Sequence, residues 1–206
     1  MKKPIRKIKN YKGRNSIIGK FASAKMNKII HWESMIERDY IFLLETDPDV
    51  TYYASQPLKM EYWKDGKKHF YTPDFLVKRN GITQIVEVKP SAKVEKHREL
   101  FQAIALYCED KGWKFLVVTE AMVRVQPRLE NAKILCRYSF GNITFDYIEE
   151  CKNYLKQHGA KPLLEVKEHM KAKGYCPAMI YTLLYKGAIA FAIDQPINDD
   201  CRLCSE

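Results

Sequence analysis

The first 28 residues contain no aspartate or glutamate, although they carry ten lysines and arginines: Lys2, Lys3, Arg6, Lys7, Lys9, Lys12, Arg14, Lys20, Lys25 and Lys28. The formal charge of the whole chain is +10, yet its 25 basic and 25 acidic residues beyond position 28 cancel, so the entire excess sits in this arm. A solvated tail is the ordinary reading of a charge run. The lack of any acid over this length favours a polyanion instead, because each phosphate neutralised releases condensed counterions. No amphipathic apolar face accompanies the charge, which argues against a membrane surface. Also missing are an apolar run long enough to cross a bilayer and an apolar stretch behind the N-terminal charges, so the sequence reads as soluble and unsecreted. Cys201 and Cys204 have the spacing of a metal-binding pair, but no second such pair exists; zinc would have to recruit Cys176 or a histidine. Six reduced, ordinary thiols are the expectation, the last two on a short C-terminal strand or tail. Internal repeats and low-complexity segments are absent too.

What is present is a chain of 206 residues, 46% hydrophobic, enough for one domain of ordinary size and a small second one. Apolar spacing predicts a helix over 31–45, broken by Asp47-Pro48-Asp49. Strands are expected over 50–53 and 58–63, with an Asp65-Gly66 turn and a return from His69 to Tyr71. The clearest strand pair is 75–78 and 82–89 around Asn80-Gly81, a strong hairpin signal. A helix over 94–110 and a buried strand over 113–119 follow. Beyond about Gly141, helices over 145–158, 162–173 and 177–186 precede a strand over 188–193, a winged-helix pattern. The expected layout is a basic arm (1–28), an α/β domain (29–142) and a small winged-helix-like domain (143–206).

The hairpin carries a geometric consequence. A two-residue turn at Asn80-Gly81 sets Arg79 opposite Ile82, and the same register sets Asp74 opposite Glu87, with Cβ atoms about 5 Å apart. Lys89, two residues beyond Glu87, emerges on the same face. Facing carboxylates repel, and a divalent cation with a preference for hard oxygen ligands, Mg²⁺ or Mn²⁺, is the natural offset. Such an ion activates water and stabilises charge on a phosphate, while Lys89 can orient the nucleophile or stabilise the transition state. A surface hairpin with solvated charges is the bland alternative; the apolar neighbours Val86 and Val88 argue against it. Glu37 leads an apolar helix face of Tyr40, Ile41 and Leu44, which is costly without a partner. It also fits a capping box with Ser34, and Glu33 competes for its role. The expected catalytic set is Glu37, Asp74, Glu87 and Lys89; the expected metal ligands are Asp74, Glu87, Val88 and Glu37.

Tyr71-Thr72-Pro73-Asp74-Phe75-Leu76-Val77 and Glu87-Val88-Lys89-Pro90 resemble the N-terminal nuclease domain of the TnsA family, endonuclease subunits of heteromeric cut-and-paste transposases. Lys20-Phe21-Ala22-Ser23, His31-Trp32-Glu33-Ser34-Met35-Ile36-Glu37 and Ser55-Gln56-Pro57 resemble it as well, and the short chain is most similar to members from CRISPR-associated transposons. The resemblance covers about residues 15–125. It implies that residues 29–142 form the restriction-endonuclease-like PD-(D/E)xK nuclease fold, a mixed sheet flanked by helices, with Glu37, Asp74 and Lys89 in the family's catalytic positions and Glu87 in a slot that some members give to glutamine. It further implies nicking of the 5′ ends of a transposon beside a TnsB-type DDE transposase and a TnsC-type AAA+ ATPase, in a bacterial cytoplasm at the nucleoid. Gln102, Gln56 and Glu33 are candidate helpers; each also reads as an ordinary helix or turn residue. Lys2, Lys3, Arg6, Lys7, Lys12, Arg14, Lys20 and Lys93 are candidate contacts to double-stranded DNA, and Lys96, His97 and Arg98 are weaker ones. The helix over 177–186 lacks the Arg, Asn or Gln needed to read base edges, so partner docking or nonspecific phosphate contact is expected there. Two other readings remain open: a free-standing restriction or repair nuclease of this fold, and a non-catalytic winged-helix DNA-binding adaptor.

Overall fold

In the computed structural model of the chain, residues 17–64 and 66–205 are described. The expected phosphate contacts of Lys2, Lys3, Arg6, Lys7, Lys12 and Arg14, and the turn residue Asp65, lie outside the described residues. The chain divides into two compact units between Arg124 and Val125.

The first unit opens on an antiparallel hairpin, β1 (Gly19–Ser23) and β2 (Lys28–Trp32), so the basic arm is folded from Gly19 onward. The helix expected from His31 starts later, as α1 (Met35–Thr46). Ile30 and Trp32 alternate into the core along β2, and Ser34 stays extended (φ −150°, ψ 158°) to cap the helix, its Oγ accepting the Glu37 N–H at 3.2 Å. Next come β3 (Val50–Ser55), the ribbon strands β4 (Met60–Lys64) and β5 (Lys67–Tyr71), and the hairpin β6 (Phe75–Arg79) and β7 (Ile82–Val88). The helix expected over 94–110 begins at Ser91: α2 (Ser91–Val94), a 3-10 turn and α3 (Arg98–Asp110) run on from one another. The strand β8 (Lys114–Val118) and the short α4 (Glu120–Val123) complete the unit.

The main sheet has the order β3-β6-β7-β8; the first two pairings are antiparallel and the last is parallel. It is the expected mixed sheet between helices. Tyr40, Ile41 and Leu44 of α1 pack with Phe75, Val77, Val86 and Val88 on one side. Ile104 and Cys108 of α3 pack with Ile85, Met60 and Tyr71 on the other. With both faces covered, β7 is buried from Gln84 to Val88. The turn holds Asn80 at φ 49° and Gly81 at φ 77°, the left-handed pair that a two-residue turn needs to match strand twist. Arg79 faces Ile82 and Phe75 faces Val86, so the register derived from the turn holds along β6.

The second unit contains α5 (Arg128–Cys136), α6 (Phe145–His158), β9 (Lys161–Pro162), α7 (Leu163–Ala172), a 3-10 turn leading into α8 (Ile180–Tyr185), β10 (Ala190–Phe191) and β11 (Arg202–Cys204). Its small antiparallel sheet has the order β10-β11-β9. Only Ala190 and Phe191 of the strand expected over 188–193 pair. The boundary falls at 124/125 rather than after 142, because α5 belongs to this unit: Leu135 sits in its core with Tyr147, Leu155 and Leu183. The Asn131 side chain donates to the Ile193 and Gln195 carbonyls at 2.7 Å each and accepts the Ile197 N–H at 3.0 Å. The six cysteines are free; Cys201 is buried and Cys204 is exposed on β11. Among the described residues no helix is long and apolar enough to cross a membrane.

If the left-handed turn holds the register, Gly81→Ala lowers the unfolding free energy by about 1–2 kcal/mol, as measured by urea denaturation. An unchanged midpoint would mean that the flanking strands alone set the pairing.

Candidate active site

The site forms where β6 begins and β7 ends. Asp74 lies one residue before β6, on the strand face that Leu76 continues. Glu87 and Lys89 lie at and just beyond the end of β7, and the Lys89 N–H continues the sheet by donating to the Val118 carbonyl at 2.9 Å. The Asp74 carboxylate reaches across and accepts the Val88 N–H at 2.8 Å. Glu87 is buried, with a relative exposure of 5%. One of its oxygens meets the Lys89 ammonium at 2.5 Å, and the other accepts the Tyr71 hydroxyl at 2.5 Å. Asp74, Glu87 and Lys89 therefore come together as the turn register requires.

Glu37 joins them from the first turn of α1. Its carboxylate accepts the Glu33 N–H and the Ser34 hydroxyl, each at 2.8 Å. The capping role weighed from the sequence is thus present, with the Glu33 amide in place of the Ser34 amide. Glu37 is also close enough to Asp74 and Glu87 for their charges to interact. Glu33 is a positioning residue here: its Oε1 accepts from Gln56 Nε2 at 3.0 Å. The Gln56 amide donates to the Asp74 carbonyl at 2.9 Å, its backbone is held at φ 44°, and its buried Oε1 lacks a partner. A left-handed non-glycine residue with an orphaned acceptor beside the acids marks a place that a water or ligand completes.

The electrostatics follow from burial. Desolvation pushes the Asp74 carboxyl well above the usual carboxylate range, and the charges of Glu87 and Glu37 push it further; the Val88 amide and Lys89 oppose the shift. Burial raises Glu37 too, against the bonds from Glu33 and Ser34, with the Glu33 and Glu87 charges adding to the rise. Burial alone would lower the Lys89 ammonium, but the hydrogen bond and charge of Glu87 outweigh it, and Lys89 is held above its ordinary value. Burial and Glu87 also raise the Tyr71 hydroxyl, which stays a donor.

Sequence reasoning missed Tyr71. It stands in the quoted motif, but the strand that carries it belongs to another sheet, so no register argument reaches it. Three expected contributors stand apart from this cluster of contacts. Gln102 is exposed on α3, off the face that buries Phe101, Ile104 and Cys108. Lys20 is exposed on β1 and Lys93 on α2. The His97 ring binds the Lys93 carbonyl and Arg98 pairs with Glu95.

Residues 47–120 match the family model described as the TnsA-like endonuclease N terminal. The chain carries a TnsA-like nuclease domain. A comparison with curated proteins gives no match. The TnsA-like region spans Gln56, Tyr71, Asp74, Glu87 and Lys89 and includes the whole β6–β7 hairpin, whereas Glu37 lies ahead of it. It assigns the chain a nuclease role in transposition, and with it a place in a complex with other Tns proteins.

The donor set fits a hard divalent cation. Asp74, Glu87 and the Val88 carbonyl are oxygen donors at one end of the sheet, and Gln56 Oε1 is unsatisfied nearby. Among the described residues no three Asp, Glu, His or Cys side chains converge as a metal ligand set. An ion here would thus rest on two carboxylates and a main-chain carbonyl, with Glu37 held at the helix cap.

The raised Asp74 carboxyl sets the sign of a pH effect. The folded state binds this proton more tightly than the unfolded chain, so the stability it contributes is present at low pH and is lost as pH rises from 3.8 through the raised folded value. Without divalent metal, Asp74→Asn is therefore expected to melt ~2–4 °C above the wild type near neutral pH, with the gap closing towards about pH 4. Thermal melts across that range would contradict the account if the wild type matched the variant throughout.

Proposed function

We propose that the chain is a metal-dependent DNA endonuclease that nicks the 5′ ends of a transposon during cut-and-paste transposition. The observation that carries this reading is the grouping of Asp74 and Glu87 at one sheet end with the Lys89 ammonium on Glu87. With Asp74, Glu87 and Glu37 ionised and Lys89 protonated, the group carries two net negative charges, which a single divalent cation neutralises. Asp74, Glu87 and the Val88 carbonyl would hold Mg²⁺, for which Mn²⁺ can substitute. Such an ion lowers the pKa of a bound water and stabilises charge on the scissile phosphate.

The remaining roles belong to the chain. Lys89, charged and a quarter exposed, offers its ammonium to the attacking oxygen or to the charge growing on the phosphorane. Tyr71 steadies Glu87 by donating to the oxygen that Lys89 does not use. Glu37, oriented by Glu33 and Ser34, adds negative potential that keeps Lys89 protonated. Gln56 ties the Asp74 backbone to the loop after β3.

The DDE transposase and the AAA+ regulator of such systems are the proposed partners, with the basic arm and Lys20 contributing to duplex affinity. Affiliation with CRISPR-associated transposons belongs to the same proposal. The winged-helix reading of the second unit is supported by its order, helix–strand–helix–helix–strand–strand from α6 to β11. Ile180, Thr182, Leu183 and Leu184 of α8 are buried, which fits a packing element that docks partners or phosphate better than one that reads bases.

In a reconstituted transposition reaction, Asp74→Ala is expected to remove Mg²⁺-dependent nicking at the 5′ ends, and Lys89→Ala to slow it by about 10²–10³-fold. Wild-type nicking by Asp74→Ala removes that carboxylate from the mechanism. Robust cleavage by the isolated chain would favour a free-standing nuclease.

A further inference from the structure

The β4–β5 ribbon is a two-stranded sheet of its own with two unlike faces. Its inner face carries Met60 and Tyr71, both buried against α3 and β7, and Tyr62 stacked on His69 at 5.4 Å. Its outer face pairs Glu61 with Phe70 and Trp63 with Lys68 across the strands. Trp63 and Phe70 are 68% and 51% exposed. The Lys59 ammonium lies 3.7 Å from the centre of the Phe70 ring and that of Lys68 lies 5.8 Å away. Among the described residues Lys59 and Lys67 meet no carboxylate, while Lys68 pairs with the exposed Glu61 at 2.6 Å. Large rings left in water and rimmed by cations mark an interaction surface.

We propose that this outer face binds duplex DNA on the ribbon that borders the active site, with Lys59 and Lys68 on phosphates and Trp63 and Phe70 against the sugars and base edges of a groove. The proposal rests on the nuclease reading and adds where the substrate is gripped. Three observations carry it. Residues 59–70 hold four lysines (Lys59, Lys64, Lys67 and Lys68) against Glu61 and Asp65, which complements a polyanion. Lysine is depleted in protein–protein interface cores, so lysines interleaved with aromatics favour nucleic acid over a protein partner. Tyr71 ends the same ribbon on its inner face with its hydroxyl on Glu87, so the ribbon whose outer face carries Phe70 borders the catalytic carboxylates. A two-stranded ribbon also has the dimensions of an element that a major groove admits.

The test uses the full chain and a fluorescently labelled duplex in EDTA, so that no cleavage occurs, with anisotropy read across a salt series. Lys59→Ala/Lys68→Ala should flatten the slope of log affinity against log salt by about 1.8, since each phosphate contact contributes about 0.9. Trp63→Ala/Phe70→Ala should weaken binding roughly tenfold with the slope unchanged. All four positions are exposed, and thermal melts matching the wild type confirm that the variants fold. Wild-type affinity and slope in both variants overturn the ribbon proposal while leaving the nuclease reading intact, and would be the outcome if this face docked a protein. A wild-type chain with no affinity for duplex also overturns the ribbon proposal, whereas the nuclease reading fails only if Asp74→Ala nicks like the wild type in the reconstituted reaction.

Discussion

Asp74 and Glu87 are held side by side where water is scarce, and much of the first unit is arranged around that repulsion. A left-handed turn at Asn80-Gly81 fixes the register, and helices on both faces of the sheet bury its end. The acids cannot separate without unpairing β6 from β7. The protein can only offset the charge locally, with Lys89 on one oxygen of Glu87, Tyr71 on the other and the Val88 amide on Asp74. Burial outweighs these offsets and leaves Asp74 and Glu37 reluctant to ionise. A group that destabilises its own fold in this way is a common mark of a functional site.

The same constraint explains why the surrounding shell is polar yet tightly specified. Glu33 and Ser34 each donate to the Glu37 carboxylate, and Gln56 donates to the Asp74 carbonyl and to Glu33. Gln56 adopts a backbone conformation that a residue other than glycine rarely takes, and its side chain bridges the start of α1 to the loop beside Asp74. Helix and sheet are thereby tied together at the point where Glu37 and Asp74 approach.

Asp74, Glu87 and Lys89 were legible in the sequence because their relation depends on two local rules, the turn preference of Asn-Gly and the period-2 alternation of a strand. Glu37 was legible because it leads an apolar helical face. Tyr71 was not, because its contact with Glu87 is set by how a separate ribbon packs against the sheet. Trp32 satisfies helical spacing with Met35 and Ile36 as well as strand alternation with Ile30; the extended Ser34 cap decides between them. The helix α5 buries the polar Asn131 beside Leu129, Ala132 and Leu135, which blurs its apolar stripe and hid the true start of the second unit. Gln102 has the right helix but the wrong face, a distinction of about 100° that spacing from a distant motif does not fix.

The central claim is that Asp74 and Glu87 form one cation site. Titration with Mn²⁺, followed by the loss of the free-ion signal in electron paramagnetic resonance, addresses it without any substrate or partner. The wild-type chain is expected to hold a Mn²⁺ site that Glu87→Gln weakens by at least about tenfold and that Gln102→Ala leaves alone. Equal Mn²⁺ affinity in the wild type and Glu87→Gln would contradict it.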